Sequence, residues 1–213
     1  SDVCSSDLAA FLCGVLEKRG GTLDPGRYVG SLRRAAIQQG VRLCERTTVV
    51  RIEDGSPARV SSTRGSVTAP CVVLATNAYT PRLGWKERSV APLRVTLFET
   101  EPIAPALRAA LDWRGREGVY TAHEILESYR LTDRGTIVGG SKVVRYGYGS
   151  ALCDGYDPEA FTIVERAFRE RFPLLRETRV ASFWGGWIAL TVDFLPLIGT
   201  AGAHRNVFYG LGY

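Results

Sequence analysis

The sequence predicts a mixed α/β (α+β) fold with two lobes, and three observations support this prediction. The apolar run 72–75 ends abruptly in the small and polar pair 76–77, as at the carboxyl end of a buried parallel strand. Two helical segments begin with an Asp-Pro pair, at 24–25 and at 157–158, which places an N-cap before proline at the first helical position. Between them, strand-like segments joined by turns predict an antiparallel sheet.

The first lobe opens with the helix after Asp24, which ends at Gly40. Its apolar face is predicted to carry Tyr28, Leu32, Ala35 and Ala36. Strands are predicted at 41–43 and at 47–52, the latter rich in β-branched residues. A hairpin of 58–63 and 66–75 follows, and we expect Cys71 within it to be a small buried side chain.

The second lobe is predicted from strands at 90–102, 119–131 and 135–142, with a turn at 132–135. The helix after Asp157 ends at Pro173 and carries one apolar face of Phe161, Val164, Phe168 and Phe172. A strand at 181–190 then leads back toward a last strand at 206–209. We expect this last strand to pair in or next to one sheet with 72–75.

Composition and charge exclude several classes of protein. Hydrophobic residues make up 45% and charged residues 23%, which is typical of a globular protein, and no apolar stretch reaches the roughly 18–20 residues of a membrane span. The net charge is +5, but the basic residues are scattered among 22 acids without a long basic run, so we expect no nucleic-acid partner.

Five cysteines without a C-x-x-C pair predict no disulfide framework and a cytoplasmic protein. The two histidines, His123 and His204, have no metal partner at ligand spacing, so no metal site is predicted.

Two segments carry a resemblance to a known family. They are VVLATNAYTPRL at 72–83 and WGGWIALTVDFLPLIG at 184–199, the latter continued by NVFYGLGY at 206–213. Both resemble the FAD-dependent oxidoreductases of the D-amino-acid oxidase and sarcosine oxidase superfamily, closest to the branch that includes gamma-glutamylputrescine oxidase. The resemblance covers nearly all of residues 9–213. It implies an incomplete Rossmann-like FAD-binding lobe from 9–89 and 191–213, and an antiparallel-sheet substrate domain from 90–190.

The family's phosphate-binding fingerprint is missing from this sequence. No G-x-G-x-x-G occurs in the 213 residues, although that motif normally holds the FAD pyrophosphate. The resemblance therefore implies a fragment of a longer enzyme, and we expect this chain alone to bind FAD weakly or not at all. Residues 1–8 are similar to a translated sequencing adapter, so we interpret them as an artefact and exclude them from the fold prediction.

The resemblance implies non-covalent FAD near eight residues: Val49, Ala75, Thr76, Asn77, Asp193, Pro196, Gly210 and Gly212. Val49 corresponds to a position whose backbone contacts adenine, or else it is an ordinary core valine. Residues 75–77 correspond to the loop beside the pyrophosphate. The two late glycines let the backbone approach the flavin ring, whereas Asp193 either faces FAD or caps its own loop.

Substrate contacts are implied for Tyr129, Arg130, Trp184, Trp187 and Ile188. The first two are neighbours in a strand and must point to opposite faces; we expect Tyr129 to face the substrate, although Arg130 could bind a carboxylate. The two tryptophans form either an aromatic wall for an amine or core packing.

Three positions depart from relatives in the family. Ile188 stands where glycine oxidases carry an arginine, which favours an amine substrate or one whose carboxylate is held elsewhere. Gly186 stands near the cysteine that attaches flavin covalently in monomeric sarcosine oxidases. The segment 135–140 lacks the lysine that assists oxygen reduction, with Lys142 just beyond it.

The activity implied is oxidation of an amine or amino acid to an imine by hydride transfer to flavin. The cofactor supplies this chemistry, so no catalytic residue is assigned. Oxygen and another electron acceptor both remain open, as does the oligomeric state. The alternative is a binding or assembly protein that keeps the fold without turnover.

Overall fold

The computed structural model describes residues 2–4, 11, 13–111, 113, 117–147, 152 and 155–213. Its helices are α1 (Pro25–Gln38), α2 (Pro105–Ala110) and α3 (Pro158–Arg171). Its strands are β1 (Asp2–Cys4), β2 (Gly14–Leu16), β3 (Val49–Glu53), β4 (Ala58–Ser62), β5 (Gly65–Ala69), β6 (Val72–Leu74), β7 (Val90–Thr100), β8 (Val119–Tyr120), β9 (Glu127–Leu131), β10 (Ile137–Tyr146), β11 (Val180–Thr191), β12 (Leu197–Ala201) and β13 (Val207–Leu211). This is the predicted mixed α/β fold.

Two compact units divide the chain. The first unit contains Ser1–Tyr28, Val95–Val144 and Asp154–Gly186; the second contains Val29–Arg94, Arg145–Cys153 and Trp187–Tyr213. Both units are therefore discontinuous in sequence. The unit boundaries do not coincide with the predicted domain limits of 90 and 190, and the assignment of FAD to one domain and substrate to the other stays a prediction.

The first unit is organised by a five-stranded sheet with the order β11-β7-β10-β9-β8. Helix α3 packs on one face of it, because the predicted apolar stripe supplies Val164, Phe168 and Phe172 to a core shared with Phe98 and Tyr129. The helix begins as predicted, with the carboxylate of Asp157 accepting a hydrogen bond from the Ala160 amide at 3.0 Å. A 3₁₀ turn at Pro173–Leu175 follows the helix, at the predicted proline stop.

The second unit contains two three-stranded sheets, ordered β12-β13-β6 and β3-β4-β5. Strands β6 and β13 run parallel, with Val207 opposite Val72 and Tyr209 opposite Leu74. The predicted pairing of these two distant segments is confirmed. Ile52, Leu74 and Val207 form the buried centre of this unit.

Several predicted strands differ from those observed. Residues 41–43 form no strand, since their side chains are exposed and no neighbouring strand pairs with them among the described residues. The predicted strand 66–75 is interrupted at Pro70, which has no amide hydrogen for the ladder. The break leaves Cys71 exposed, so the prediction that it is buried is wrong. The predicted strand 119–131 is two strands, β8 and β9, which pair with each other.

Helix α1 confirms the predicted start, because the Asp24 carboxylate accepts a hydrogen bond from the Arg27 amide at 3.0 Å. Its apolar side chains, Tyr28 and Leu32 among them, are exposed, and no residue of α1 is buried by the described part of the chain. Among the described helices, none is long and apolar enough to cross a membrane. Of the segment 1–8, Asp2–Cys4 pairs with Gly14–Leu16; residues 1 and 5–8 lie outside the described residues.

We expect Gly140→Ala to destabilise the protein by about 2 kcal/mol or more. Gly140 has φ +152°, and a methyl group there would overlap the Thr96 carbonyl oxygen and lie 2.7 Å from Cα of Leu97. The matched control is Gly186→Ala, which also lies in a strand of the same sheet but would meet nothing within 4 Å. Urea unfolding should leave the control within about 0.5 kcal/mol of the unsubstituted protein. Equal stabilities of the two variants would contradict the close approach of β10 to β7.

Candidate functional site

The carboxyl ends of β6 and β13 carry most of the predicted cofactor residues in the second unit. Ala75, Thr76 and Asn77 follow β6 directly, while Gly210 lies near the end of β13 and Gly212 follows it. The Oδ1 atom of Asn77 accepts a hydrogen bond from the Gly212 amide at 2.9 Å. Because neighbouring parallel strands end at the same edge, this bond joins two loops at the place where α/β folds bind ligands.

A third loop lies against Gly212. Gly212 has φ +71°, and a side chain there would overlap Cγ2 of Thr191 and lie 3.8 Å from the Leu195 carbonyl oxygen. The turn that contains Asp193 and Pro196 is therefore beside Gly212. Within this turn the Asp193 carboxylate accepts a hydrogen bond from the Leu195 amide at 3.1 Å, so the carboxylate caps its own loop, which was one of the two interpretations of this residue.

The backbone at this edge is open to close approach at two positions. Ala75 is exposed, and a methyl group added at Gly210 would meet nothing within 4 Å. The buried hydroxyl of Thr191 has no hydrogen-bond partner among the described residues, and such an orphaned group is uncommon unless another molecule or a rearrangement satisfies it. Sequence patterns gave no signal for Thr191. In contrast, the Gly212 amide is already engaged by Asn77, so it is not available to a ligand.

Val49 lies at the start of β3 and packs against the cluster of Ile52, Leu74 and Val207. Its side chain is half-buried among apolar neighbours, in keeping with a core valine. A backbone contact from the same residue to a ligand stays a prediction.

The predicted substrate residues fall into both units. In the first unit, Tyr129 lies in the core, with its ring 5.0 Å from that of Phe172 in an edge-on arrangement. Arg130 points to the opposite face of the sheet, where it and Trp184 line a cavity of about 650 Å³. The alternation of the two side chains is as predicted, but the open surface belongs to Arg130 and not to Tyr129.

Trp187 and Ile188 belong to the second unit. Trp187 is half-buried and lies beside Gly147, where an added side chain would approach its ring to 3.0 Å. Ile188 is exposed. Trp184 and Trp187 are three positions apart in β11, so a regular strand directs them to opposite faces and a wall formed by both is not expected.

Sequence patterns did not reveal the strongest electrostatic feature of the first unit, which is buried Glu127. Its side chain is 1% exposed. Its carboxylate accepts hydrogen bonds from Arg171 Nε at 2.9 Å, Lys142 Nζ at 2.9 Å and the Tyr129 hydroxyl at 2.9 Å. The available signal was an acid two residues before Tyr129, and therefore on the buried face of the same strand.

These contacts change the pKa of each partner. Burial by itself would raise the pKa of Glu127, but the hydrogen bonds from Arg171, Lys142 and Tyr129 outweigh it and lower the pKa from 4.5 to about 2. Burial, together with the adjacent carboxylate, raises the pKa of the Tyr129 phenol. The hydrogen bond to Glu127 raises the pKa of Arg171. Lys142, the lysine nearest to 135–140, is thus committed to an ion pair.

Among the described residues, no group of three or more His, Cys, Asp or Glu side chains could hold a metal ion. Cys13, Cys44 and Cys71 are free thiols on the surface. His204 lies 3.2 Å from an Asp54 oxygen, and His123 lies 3.9 Å from a Glu127 oxygen.

The chain is similar to known proteins over nearly its whole length. The family model described as "DAO: FAD dependent oxidoreductase" matches residues 2–213. The D-amino acid dehydrogenase of Bradyrhizobium diazoefficiens is 32% identical over 218 residues, which cover 93% of this chain and 48% of that protein. The gamma-glutamylputrescine oxidoreductase of Escherichia coli is 28% identical over 204 residues, covering 93% of this chain and 45% of that protein.

A solved structure shows the same fold. The crystal structure of L-proline dehydrogenase from P. horikoshii matches with a TM-score of 0.72 at 22% identity, covering 89% of this chain and 50% of that chain. The chain thus spans about half the length of the relatives it matches.

We expect Glu127→Gln to lower the free energy of unfolding by about 3 kcal/mol at pH 7, because it leaves two cations in a partly buried site. The side chains of Lys142 and Arg171 are 34% and 23% exposed. The loss of stability should therefore lie at the lower end of the range observed when one partner of a buried ion pair is removed. The folded-state pKa of Glu127 is about 2 against 4.5 ordinarily. Its stabilising effect is therefore complete above pH 4.5 and is lost as the pH falls toward 2.

Denaturant unfolding between pH 2 and 7 measures this effect. The unsubstituted protein should lose more stability over that window than Glu127→Gln does. Glu124→Gln, which neutralises an exposed acid nearby, is the control and should follow the unsubstituted protein. Parallel pH profiles for Glu127→Gln and the unsubstituted protein would mean that the buried carboxylate is not held ionised.

Proposed function

Since the chain belongs to the DAO family of FAD-dependent oxidoreductases, we propose that it supplies part of the flavin site and of the substrate site of an enzyme that oxidises an amine or amino acid to an imine. The observation that carries this proposal is the Asn77–Gly212 hydrogen bond, which joins the carboxyl ends of two parallel strands. It joins two loops of predicted cofactor residues at one edge of a sheet, and the turn of Asp193 and Pro196 lies beside them.

The proposed cofactor contacts come from the second unit. Ala75 and Thr76 would lie beside the pyrophosphate and Gly210 would face the flavin ring, while Asn77 holds the Gly212 turn in place. When bound, FAD accepts the hydride from the carbon next to the substrate nitrogen. Gly186 has no nucleophilic side chain, which favours non-covalent binding.

The proposed substrate contacts come first from Arg130 and Trp184, which line the same cavity in the first unit. Tyr129 acts from behind the sheet by holding Glu127. Ile188 offers no charge for a substrate carboxylate. An amine or amino-acid substrate is supported by the relatives named gamma-glutamylputrescine oxidoreductase and D-amino acid dehydrogenase.

Two further parts of the proposal concern organisation and location. We assign FAD binding to 9–89 and 191–213, and substrate binding to 90–190. The predicted cofactor residues all lie in the second unit, which supports the first assignment. The three exposed free thiols favour the reducing cytoplasm.

Two glycine variants separate ligand contact from loop geometry. They are made in the longest reading frame that contains this chain. Gly212→Ala should lower both the melting temperature and the FAD affinity, the latter at least about tenfold, because alanine is strained at φ +71° and overlaps Thr191. Gly210→Ala should lower FAD affinity with little change in the melting temperature, because the added methyl meets no protein atom. Flavin fluorescence titration measures the affinities, and an unchanged affinity in Gly210→Ala would place the flavin elsewhere.

Anaerobic flavin reduction tests the reaction itself without assuming oxygen as the electron acceptor. The same reading frame is mixed with glycine, sarcosine, D-alanine, putrescine or gamma-glutamylputrescine, and bleaching of the flavin absorbance is followed. We expect at least one of these compounds to reduce bound FAD. A protein that retains FAD but is bleached by none of them contradicts the proposed substrate class. A reading frame that contains the G-x-G-x-x-G segment and still retains no FAD supports the alternative of a binding or assembly protein.

A further inference from the structure

The turn between β11 and β12 carries an exposed apolar tip. Val192, Phe194 and Leu195 are 89%, 77% and 62% exposed. Contact between large apolar side chains and water is unfavourable, so a cluster of them on the surface marks a place where another molecule is contacted. We call residues 191–196 the apolar turn.

Phe194, at the tip of the apolar turn, has a left-handed backbone. Its φ is +60°, which is unfavourable for a residue with a side chain because Cβ crowds the backbone. Two hydrogen bonds hold this conformation: the Phe194 amide donates to the Thr191 carbonyl at 3.3 Å, and the Leu195 amide donates to the Asp193 carboxylate at 3.1 Å. Glycine would fit the same backbone without strain. A bulky side chain that is strained and also exposed adds little to stability, so we look for its role in binding.

The apolar turn is fixed against the edge that carries the predicted cofactor residues. A side chain at Gly212 would overlap Cγ2 of Thr191 and lie 3.8 Å from the Leu195 carbonyl oxygen. The amide of Gly212 is in turn held by Asn77. The turn therefore meets Gly212 on both sides of Phe194 in the sequence, and all of these residues belong to the second unit. Phe194 thus stands beside the loop that follows β13.

We infer that Phe194 contacts the isoalloxazine ring of bound FAD. The inference rests on the proposed function, in which Gly210 faces that ring. The segment 192–196 has no basic side chain, and its one acid is used within the turn, so it does not suit the pyrophosphate. The adenine is assigned to Val49, in β3. The flat isoalloxazine is the part of FAD that remains, and an aromatic side chain gains affinity by packing against such a ring.

Phe194→Gly separates ring contact from folding, because it removes the phenyl group and also relieves the strain at φ +60°. It is made in the longest reading frame that contains this chain. The FAD affinity, measured by flavin fluorescence titration, should fall about threefold to tenfold. The melting temperature without FAD should stay the same or rise, whereas loss of a merely structural residue would lower it. Phe194→Tyr keeps the ring and should keep the affinity within about twofold.

Arg205→Gly is the matched control. Arg205 is exposed and also has a left-handed φ of +51°, but it precedes β13 and is thus at the opposite end of that strand from Gly212. The substitution should change the melting temperature in the same direction as Phe194→Gly and leave the FAD affinity unchanged. ADP gives a second comparison, since it carries the adenine and the pyrophosphate without the flavin. Phe194→Gly should bind ADP as tightly as the unsubstituted protein does.

The inference is overturned if Phe194→Gly keeps the full FAD affinity, if it loses FAD and ADP affinity equally, or if its affinity falls only together with its melting temperature. A change of oligomeric state in gel filtration, without a change in FAD affinity, would instead assign the apolar turn to contact between two copies of the chain. If the unsubstituted protein binds FAD and Phe194→Gly binds it equally well, only this inference fails. If the unsubstituted protein binds no FAD, the proposed function fails and this inference fails with it.

Discussion

The first unit depends on the buried carboxylate of Glu127. Its Oε1 accepts hydrogen bonds from Lys142 of the neighbouring strand and from Arg171 in the last turn of α3. Its Oε2 accepts hydrogen bonds from Arg171 and from the hydroxyl of Tyr129. The Glu127 carboxylate therefore connects β9, β10 and α3 at one point. A charge removed from water is costly unless it is paired and hydrogen-bonded, so this point tolerates few other arrangements of α3 on the sheet. The aromatic core of Tyr129, Phe168 and Phe172 is assembled around it.

The same constraint determines what the other face of the sheet can do. Because Tyr129 is committed to Glu127, its neighbour Arg130 must leave the strand on the open side. Lys142, drawn to Glu127, is likewise unavailable as an independent cation. The position of one buried acid thus decides which basic group is presented to a ligand. It connects the stability of the first unit to the chemistry proposed for its cavity.

The second unit is held by polar contacts between turns that are far apart in sequence. The Asn206 side chain donates to the carbonyls of Gly55 and Pro70 at 2.8 and 3.0 Å. Asp54 accepts from the Ala203 amide. Together with Asn77 and Gly212, these bonds tie both ends of β13 to loops from the earlier half of the chain. Such bonds give a specific register to the β6–β13 pair, whose few parallel hydrogen bonds would define it less well alone.

The sequence by itself determined the elements that local chemistry specifies. The Asp-Pro starts of α1 and α3, the apolar stripe of α3 and the opposite directions of Tyr129 and Arg130 all follow from capping, periodicity and strand alternation. The pairing of 72–74 with 207–209 was expected from the resemblance of these two segments to one family. The family resemblance was carried by the segments at 72–83 and 184–213, and it agrees with the match over residues 2–213. These features depend on neighbours within a few residues, or on a pattern shared by two apolar strands.

Only the tertiary structure decided the features that depend on residues distant in sequence. No pattern near Glu127 in the sequence predicts its contact with Arg171, which is 44 positions away. No pattern near Gly212 predicts its contact with Asn77, which is 135 positions away. Which side of β9 is closed by α3, and hence whether Tyr129 or Arg130 meets a ligand, requires the packing of the whole first unit. The exposure of Cys71 had the same origin, because Pro70 ends one strand and leaves the next residue outside the core. Local patterns specify which face a side chain takes, but burial and pairing are decided by what the rest of the chain brings to that face.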